Sequence, residues 1–87
     1  MTTPRILVID DEQTVRENIV RFLTLEGYRV DAAASGEEGL ALARRRAPDL
    51  VLCDLMMPGL DGFGVLVRMR AEAATASVPF VFWVFSE

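Results

Sequence analysis

The sequence predicts an α/β fold: a parallel sheet with helices on both faces. Two observations carry that prediction. Short runs rich in Val, Ile and Leu alternate with segments of helical period, in the order βαβαβαβ, and such alternation implies parallel strands joined by right-handed crossovers. Two of the first three strands end in carboxylates at the same relative position, and in open α/β sheets ligands bind beyond the carboxyl ends of the strands. A length of 87 residues, 52% of them hydrophobic, allows one domain spanning 1–87 and no second.

Arg5 to Ile9 is a short apolar run that reads as a strand buried on both faces, closed by Asp10, Asp11 and Glu12. Val15, Ile19, Phe22 and Leu23 recur at the spacing of an amphipathic helix, and Gly27 is placed to cap its end. Tyr28 to Ala33, with Val30 and Ala32, is a second and weaker strand. Ser35 and Glu38 fit a capping box opening a helix with Leu40 and Ala43 inward. That helix ends near Arg46, before Pro48. Leu50 to Cys53 is a third strand, again followed by an acid, Asp54. Asp61 is expected to cap a third helix with Phe63, Leu66 and Val67 on one face. Residues 71–77 read as the exit turn, and Phe80 to Phe85 as a fourth strand with Pro79 near its start.

Composition excludes several function classes. Mean hydropathy is positive, which argues against disorder. No apolar run approaches the roughly 20 residues of a membrane-spanning helix, and the N-terminus lacks the pattern of a signal peptide, so the cytoplasm is expected. Net charge is −4, and the only basic tract, Arg44 to Arg46, suits the last turn of a helix, so no nucleic-acid partner is expected. The absence of histidine removes His-based acid–base and metal chemistry. The single cysteine, Cys53, reads as a small buried residue. All nine basic residues are arginine.

The chemistry is expected at Asp10, Asp11 and Asp54. If the first and third strands are parallel neighbours, their ends lie about 4.8 Å apart, and three acids crowd one pocket. Like charges raise one another's pKa. A hard divalent cation such as Mg²⁺ removes the conflict, because it takes carboxylate oxygens and retained waters. Asp54 then becomes a carboxylate nucleophile able to form an acyl phosphate. A lone acid at a strand end is as readily a solvated loop residue, but the matched set is not. Asp61 reads as a helix cap and Glu12 as a helix-start charge, and Met56 and Met57 are open to a core role.

The string Ile6-Leu-Val-Ile-Asp-Asp-Glu12 resembles the opening of two-component response-regulator receiver domains. Leu52-Cys-Asp-Leu-Met-Met-Pro-Gly-Leu-Asp-Gly62 resembles their phosphorylation loop. The resemblance covers essentially the whole chain. It implies a flavodoxin-like, CheY-like sheet shortened to (βα)₃β with strand order 2-1-3-4. It further implies Asp54 as phospho-acceptor, Mg²⁺ held by Asp11, Asp54 and the Met56 carbonyl with Asp10 acting mostly through water, and a sensor histidine kinase as donor. Beyond Mg²⁺-dependent self-phosphorylation no enzymatic activity is expected.

The departures from the family matter as much. The family's fifth strand and last two helices have no counterpart, so a C-terminally truncated, incomplete domain is expected. The family's switch Ser/Thr aligns with Val84, and Ser86 takes that place only after a change of register. The family's lysine is also missing. Phe80 to Phe85 is unbroken apolar sequence, and as an edge strand it invites pairing with a second copy, so a homodimer through the C-terminal strand region is expected. Two other readings stand beside the phospho-acceptor. One is a self-associating module without signalling chemistry. The other is a hydrolase or phosphotransferase with an aspartyl nucleophile, disfavoured because no general acid or substrate cap is evident.

Overall fold

The structure is a computed structural model that describes residues 3–84. Seven elements follow in order: β1 (Arg5–Ile9), α1 (Gln13–Leu25), β2 (Arg29–Ala33), α2 (Gly36–Arg45), β3 (Leu50–Asp54), α3 (Gly62–Ala71) and β4 (Phe80–Trp83). The sheet has the order β2-β1-β3-β4, with all three pairings parallel. This is the predicted topology. Among the described residues the fourth strand spans Phe80–Trp83; Phe85 and Ser86 lie outside them.

β1 sits between two neighbours, so Ile6 through Ile9 are all buried, as its apolar run predicts. On one face Leu7, Ile9, Val51 and Cys53 meet Leu40 and Ala43 of α2 and Val65 and Met69 of α3. This is the core. α1 lies across the opposite face, where Leu52 and Trp83 point. β3 is therefore buried on alternate residues only: Val51 and Cys53 are enclosed, Leu52 half so. β2 lies at the sheet edge, which explains its weak apolar signal. Ala33, the register partner of Ile9, is buried there, whereas Ala32 is exposed.

The caps follow the sequence with two refinements. After α1, Gly27 takes φ +98° one residue beyond the C-cap Glu26. The Tyr28 N–H then donates to Leu23 O and the Gly27 N–H to Thr24 O, satisfying carbonyls the helix leaves open. Before α2, Ser35 Oγ accepts from the Glu38 N–H at 3.1 Å, but the Glu38 carboxylate reaches the Ala34 N–H at 2.7 Å, one residue earlier than a capping box requires. Arg44 and Arg45 fall in the last turn of α2 as expected.

The expected face of α3 is a correction. Val65 and Met69 are fully buried, whereas Phe63 and Val67 are 57% and 65% exposed and Leu66 is only half-buried. Apolar residues surround this helix on every side, so spacing alone did not single out the face that meets α2 and the sheet. α1 departs in degree. Val15, Ile19 and Leu23 line a groove of about 470 Å³ with Leu52 and Trp83, and none of its residues is fully buried.

Candidate functional site

The pairing of β1 with β3 is the relationship that builds the site. Ile9 lies opposite Cys53, so the next residues, Asp10 and Asp54, leave the sheet side by side. One carboxylate oxygen from each of Asp10, Asp11 and Asp54 lies within 4.8 Å of the others. The three acids expected from sequence are thus brought together. They differ in setting: Asp10 is 2% exposed, Asp54 half-buried and Asp11 exposed.

Two of the three acids are held by neighbouring backbone. The Asp10 N–H extends the ladder to Ala33 O at 3.1 Å, and Asp10 Oδ1 accepts from the Glu12 N–H at 2.9 Å. Asp54 Oδ1 accepts from the Met56 N–H at 3.1 Å. Burial raises the Asp10 pKa above its ordinary value, reinforced by the charges of Asp54 and Asp11 and opposed by the Glu12 N–H and Arg16. Burial likewise raises Asp54, with Asp11 adding to the rise and the Met56 N–H opposing it. Metal-free, the pocket holds carboxylates that resist ionising together. Its donors are oxygens without histidine or thiolate, the set a hard divalent cation takes.

The loop between β3 and α3 is anchored at both ends. Asp61 caps α3 by accepting from the Gly64 N–H at 2.9 Å, and the Gly62 N–H donates to Leu55 O at 3.1 Å. Gly62 packs so closely that a Cβ there would lie 2.7 Å from Asp54 O. Met57 is in the core, but the Met56 side chain is 75% exposed, so of the two methionines only Met57 packs inside. The Met56 N–H, bonded to Asp54 Oδ1, ties the main chain of that residue to the acid. Glu12 accepts from the Thr14 N–H at 2.8 Å as the N-cap of α1. Cys53 is fully buried and its thiol is pushed up to about 12, chiefly by burial, so it is chemically inert.

Val84 follows the end of β4 and is 57% exposed. Its side chain offers no hydroxyl. Sequence reasoning missed Arg16, whose Nη1 donates to the Asp10 main-chain carbonyl at 2.8 Å. Its position, one residue after the apolar Val15 on α1, carries no chemical signal of its own.

The family profile described as response regulator receiver domain matches residues 6–84. The transcriptional regulatory protein AfsQ1 of Streptomyces coelicolor is 48% identical over 67 residues, 77% of this chain and 30% of that protein. Protein PilH of Pseudomonas aeruginosa is 39% identical over 77 residues, 88% of this chain and 64% of that protein. The chain thus spans under a third of AfsQ1 and under two thirds of PilH. Among solved structures, the chemotaxis protein CheY4 of Vibrio cholerae superposes with a TM-score of 0.90 at 28% identity, covering 93% of this chain and 68% of that one. The N-terminal domain of a response regulator receiver protein from Methanoculleus marisnigri gives 0.88 at 38% identity, covering 93% and 66%. Sequence, topology and the acid pocket agree, and the chain belongs to the family of response regulator receiver domains.

Proposed function

We propose that the chain accepts a phosphoryl group on Asp54 in a Mg²⁺-dependent step, as the receiver of a two-component phosphorelay. The observation that carries this is the convergence of Asp10, Asp11 and Asp54 at the paired ends of β1 and β3. Asp11, Asp54 and the Met56 carbonyl would hold the ion, and Asp10 would act mostly through water. Bound there, Mg²⁺ neutralises the acids and offsets charge on the phosphoryl oxygens in the transition state.

An Asp54 carboxylate oxygen attacks phosphorus in line. The O–P bond forms as the P–N bond of a kinase phosphohistidine breaks, and the departing imidazole takes up a proton from water. The Met56 N–H, bonded to Asp54 Oδ1, leaves Oδ2 as the free nucleophile. Val84, which the resemblance aligns with the family's switch hydroxyl, offers none to the phosphoryl oxygens, so the acyl phosphate forms more slowly than it would with a hydroxyl there. The reading places the domain in the cytoplasm with a sensor histidine kinase as donor, and assigns it no enzymatic activity beyond self-phosphorylation. Among the described residues no helix is long and apolar enough to cross a membrane.

The test is intact mass after incubation with acetyl phosphate and Mg²⁺. One phosphoryl group on the wild-type chain, absent from Asp54→Ala, is expected. No adduct on the wild-type chain overturns the reading and leaves a metal-binding relic.

A second reading, self-association, rests on the outer edge of β4. The Pro79 and Trp83 carbonyls accept from Val51 of β3 and from Leu55 just after it. Strand alternation then turns the N–H and C=O of Phe80 and Phe82 outward. A second copy pairing on that edge satisfies them.

A further inference from the structure

Arg16 stands on the second turn of α1 and is half-buried. Its Nη1 donates to the main-chain carbonyl of Asp10 at 2.8 Å. Among the described residues the charges that bear on Asp10 are those of Asp54, Asp11 and Arg16, and only Arg16 is positive. Neither ion pair among the described residues, Arg5 with Asp31 and Arg44 with Glu72, involves it. The guanidinium therefore lies beside Asp10 with its charge outside both ion pairs.

We propose that Arg16 is the resident counter-charge of the pocket, holding the Asp10 turn and compensating the Asp10 carboxylate while no cation is bound, and that it thereby competes with the divalent ion. The inference rests on the phospho-acceptor reading of the same pocket. Arginine suits the task because it stays charged at every working pH and binds a carbonyl through a planar donor. A fixed positive charge near the carboxylates stabilises the empty pocket and repels an arriving cation. The two effects are one coupling seen from two sides. Arg16 is a positioning residue, since it touches the Asp10 backbone and none of the reacting atoms.

The experiment is a Mg²⁺ titration by calorimetry, with thermal midpoints taken with and without saturating Mg²⁺, on the wild-type chain, Arg16→Met and Arg16→Lys. Arg16→Met is expected to bind Mg²⁺ more tightly, by about fivefold, the low end of typical couplings for a half-exposed pair. Its midpoint falls markedly without Mg²⁺ and recovers most of the loss with it. Arg16→Lys, which keeps the charge, retains wild-type affinity. A purely structural arginine predicts something else: a midpoint lowered equally in both conditions and affinity unchanged or weakened. That outcome overturns the proposal. If Arg16→Met does not fold, Arg16→Gln keeps a donor for the Asp10 carbonyl and supports the same titration, with tighter binding again expected and unchanged binding again overturning. A wild-type chain that takes up no Mg²⁺ overturns the phospho-acceptor reading and this proposal together, whereas wild-type uptake unaltered by Arg16→Met or Arg16→Gln overturns the proposal alone.

Discussion

Asp54 lies directly opposite Trp83 in the parallel pairing of β3 with β4. The chain's only indole therefore sits one strand away from the acid pocket, half-buried, with its Nε1 enclosed and without a hydrogen-bond partner. Neutralising the carboxylates alters the field at that ring. Tryptophan emission is expected to change saturably on Mg²⁺ addition. Asp11→Asn and Asp54→Asn each remove a proposed ligand and are expected to weaken that response about tenfold or more, since even residues one step removed from a metal cost that much. An emission titration on the three chains checks it, and equal responses would remove the metal from this pocket.

The raised pKa values of Asp10 and Asp54 set a pH dependence with a definite sign. Their folded values lie above the ordinary 3.8, first because of burial and then because of nearby carboxylates, Asp54 and Asp11 for Asp10 and Asp11 for Asp54. The folded state thus holds protons that the unfolded state has released, and the stability this confers is present below 3.8 and lost as pH rises through the raised values. The metal-free chain is expected to lose stability as pH rises from about 4 through the raised values of these two groups. Mg²⁺ binds the ionised form and stabilises by mass action, so its effect on the thermal midpoint is larger at neutral than at acid pH. Midpoints measured across that range with and without Mg²⁺ decide it. A Mg²⁺ increment that grows on acidification contradicts the assignment.

Much of this molecule is legible in its sequence because the site is built from strand ends. Once the runs Arg5 to Ile9 and Leu50 to Cys53 are read as neighbouring parallel strands, the acids after them must converge, and Asp10, Asp11 and Asp54 do so. The inward face of α3 is not legible. Val65 and Met69 are no more apolar than Leu66 and Val67, and only the position of α2 decides between them. Arg16 is illegible for another reason: its partner is a main-chain carbonyl, and a carbonyl leaves no mark on residue identity. The Glu38 bond to the Ala34 N–H, not the Ser35 N–H, is a local turn geometry that the Ser-x-x-Glu pattern does not specify.

The resemblance aligns Val84 with the family's switch hydroxyl, and Val84→Thr supplies one without changing side-chain shape. The position is 57% exposed, so stability is expected to change by less than about 0.5 kcal/mol. Acyl-phosphate formation from acetyl phosphate is expected to rise on the order of tenfold, below the roughly 100-fold of an enclosed donor. Time-resolved intact mass measures the rate. An unchanged rate means that the Val84 side chain does not reach the phosphoryl oxygens.

Self-association makes its own prediction at the β4 edge. Val81 is 47% exposed on the outermost strand, on the face it shares with its register partner Leu52. A lysine there guards an edge by placing charge where a second strand must pack. The wild-type chain is expected to sediment as a dimer at high micromolar concentration and Val81→Lys as a monomer. A wild-type monomer under those conditions removes the homodimer, and a dimer in both chains moves the contact elsewhere.

Two glycines of α3 separate the support of the site from the propensity of the helix. A Cβ on Gly62 would meet Asp54 O at 2.7 Å and the Leu55 Cα at 2.9 Å, both main-chain atoms of the loop that carries the phospho-acceptor. A Cβ on Gly64 would meet Leu60 Cδ1 at 2.3 Å, the far end of a half-buried side chain and not main chain. Both substitutions to alanine gain helix propensity, worth up to about 1 kcal/mol. In Gly64→Ala that gain offsets a small rearrangement, and stability and Mg²⁺ affinity are expected to stay near wild type. In Gly62→Ala the loop itself must move, at about 1–3 kcal/mol for such overpacking, so the chain is expected to be destabilised and its Mg²⁺ affinity reduced. Denaturant midpoints and Mg²⁺ titrations on the pair make the comparison. Equal behaviour of the two variants would mean that the close approach of Gly62 to Asp54 does not position the acceptor.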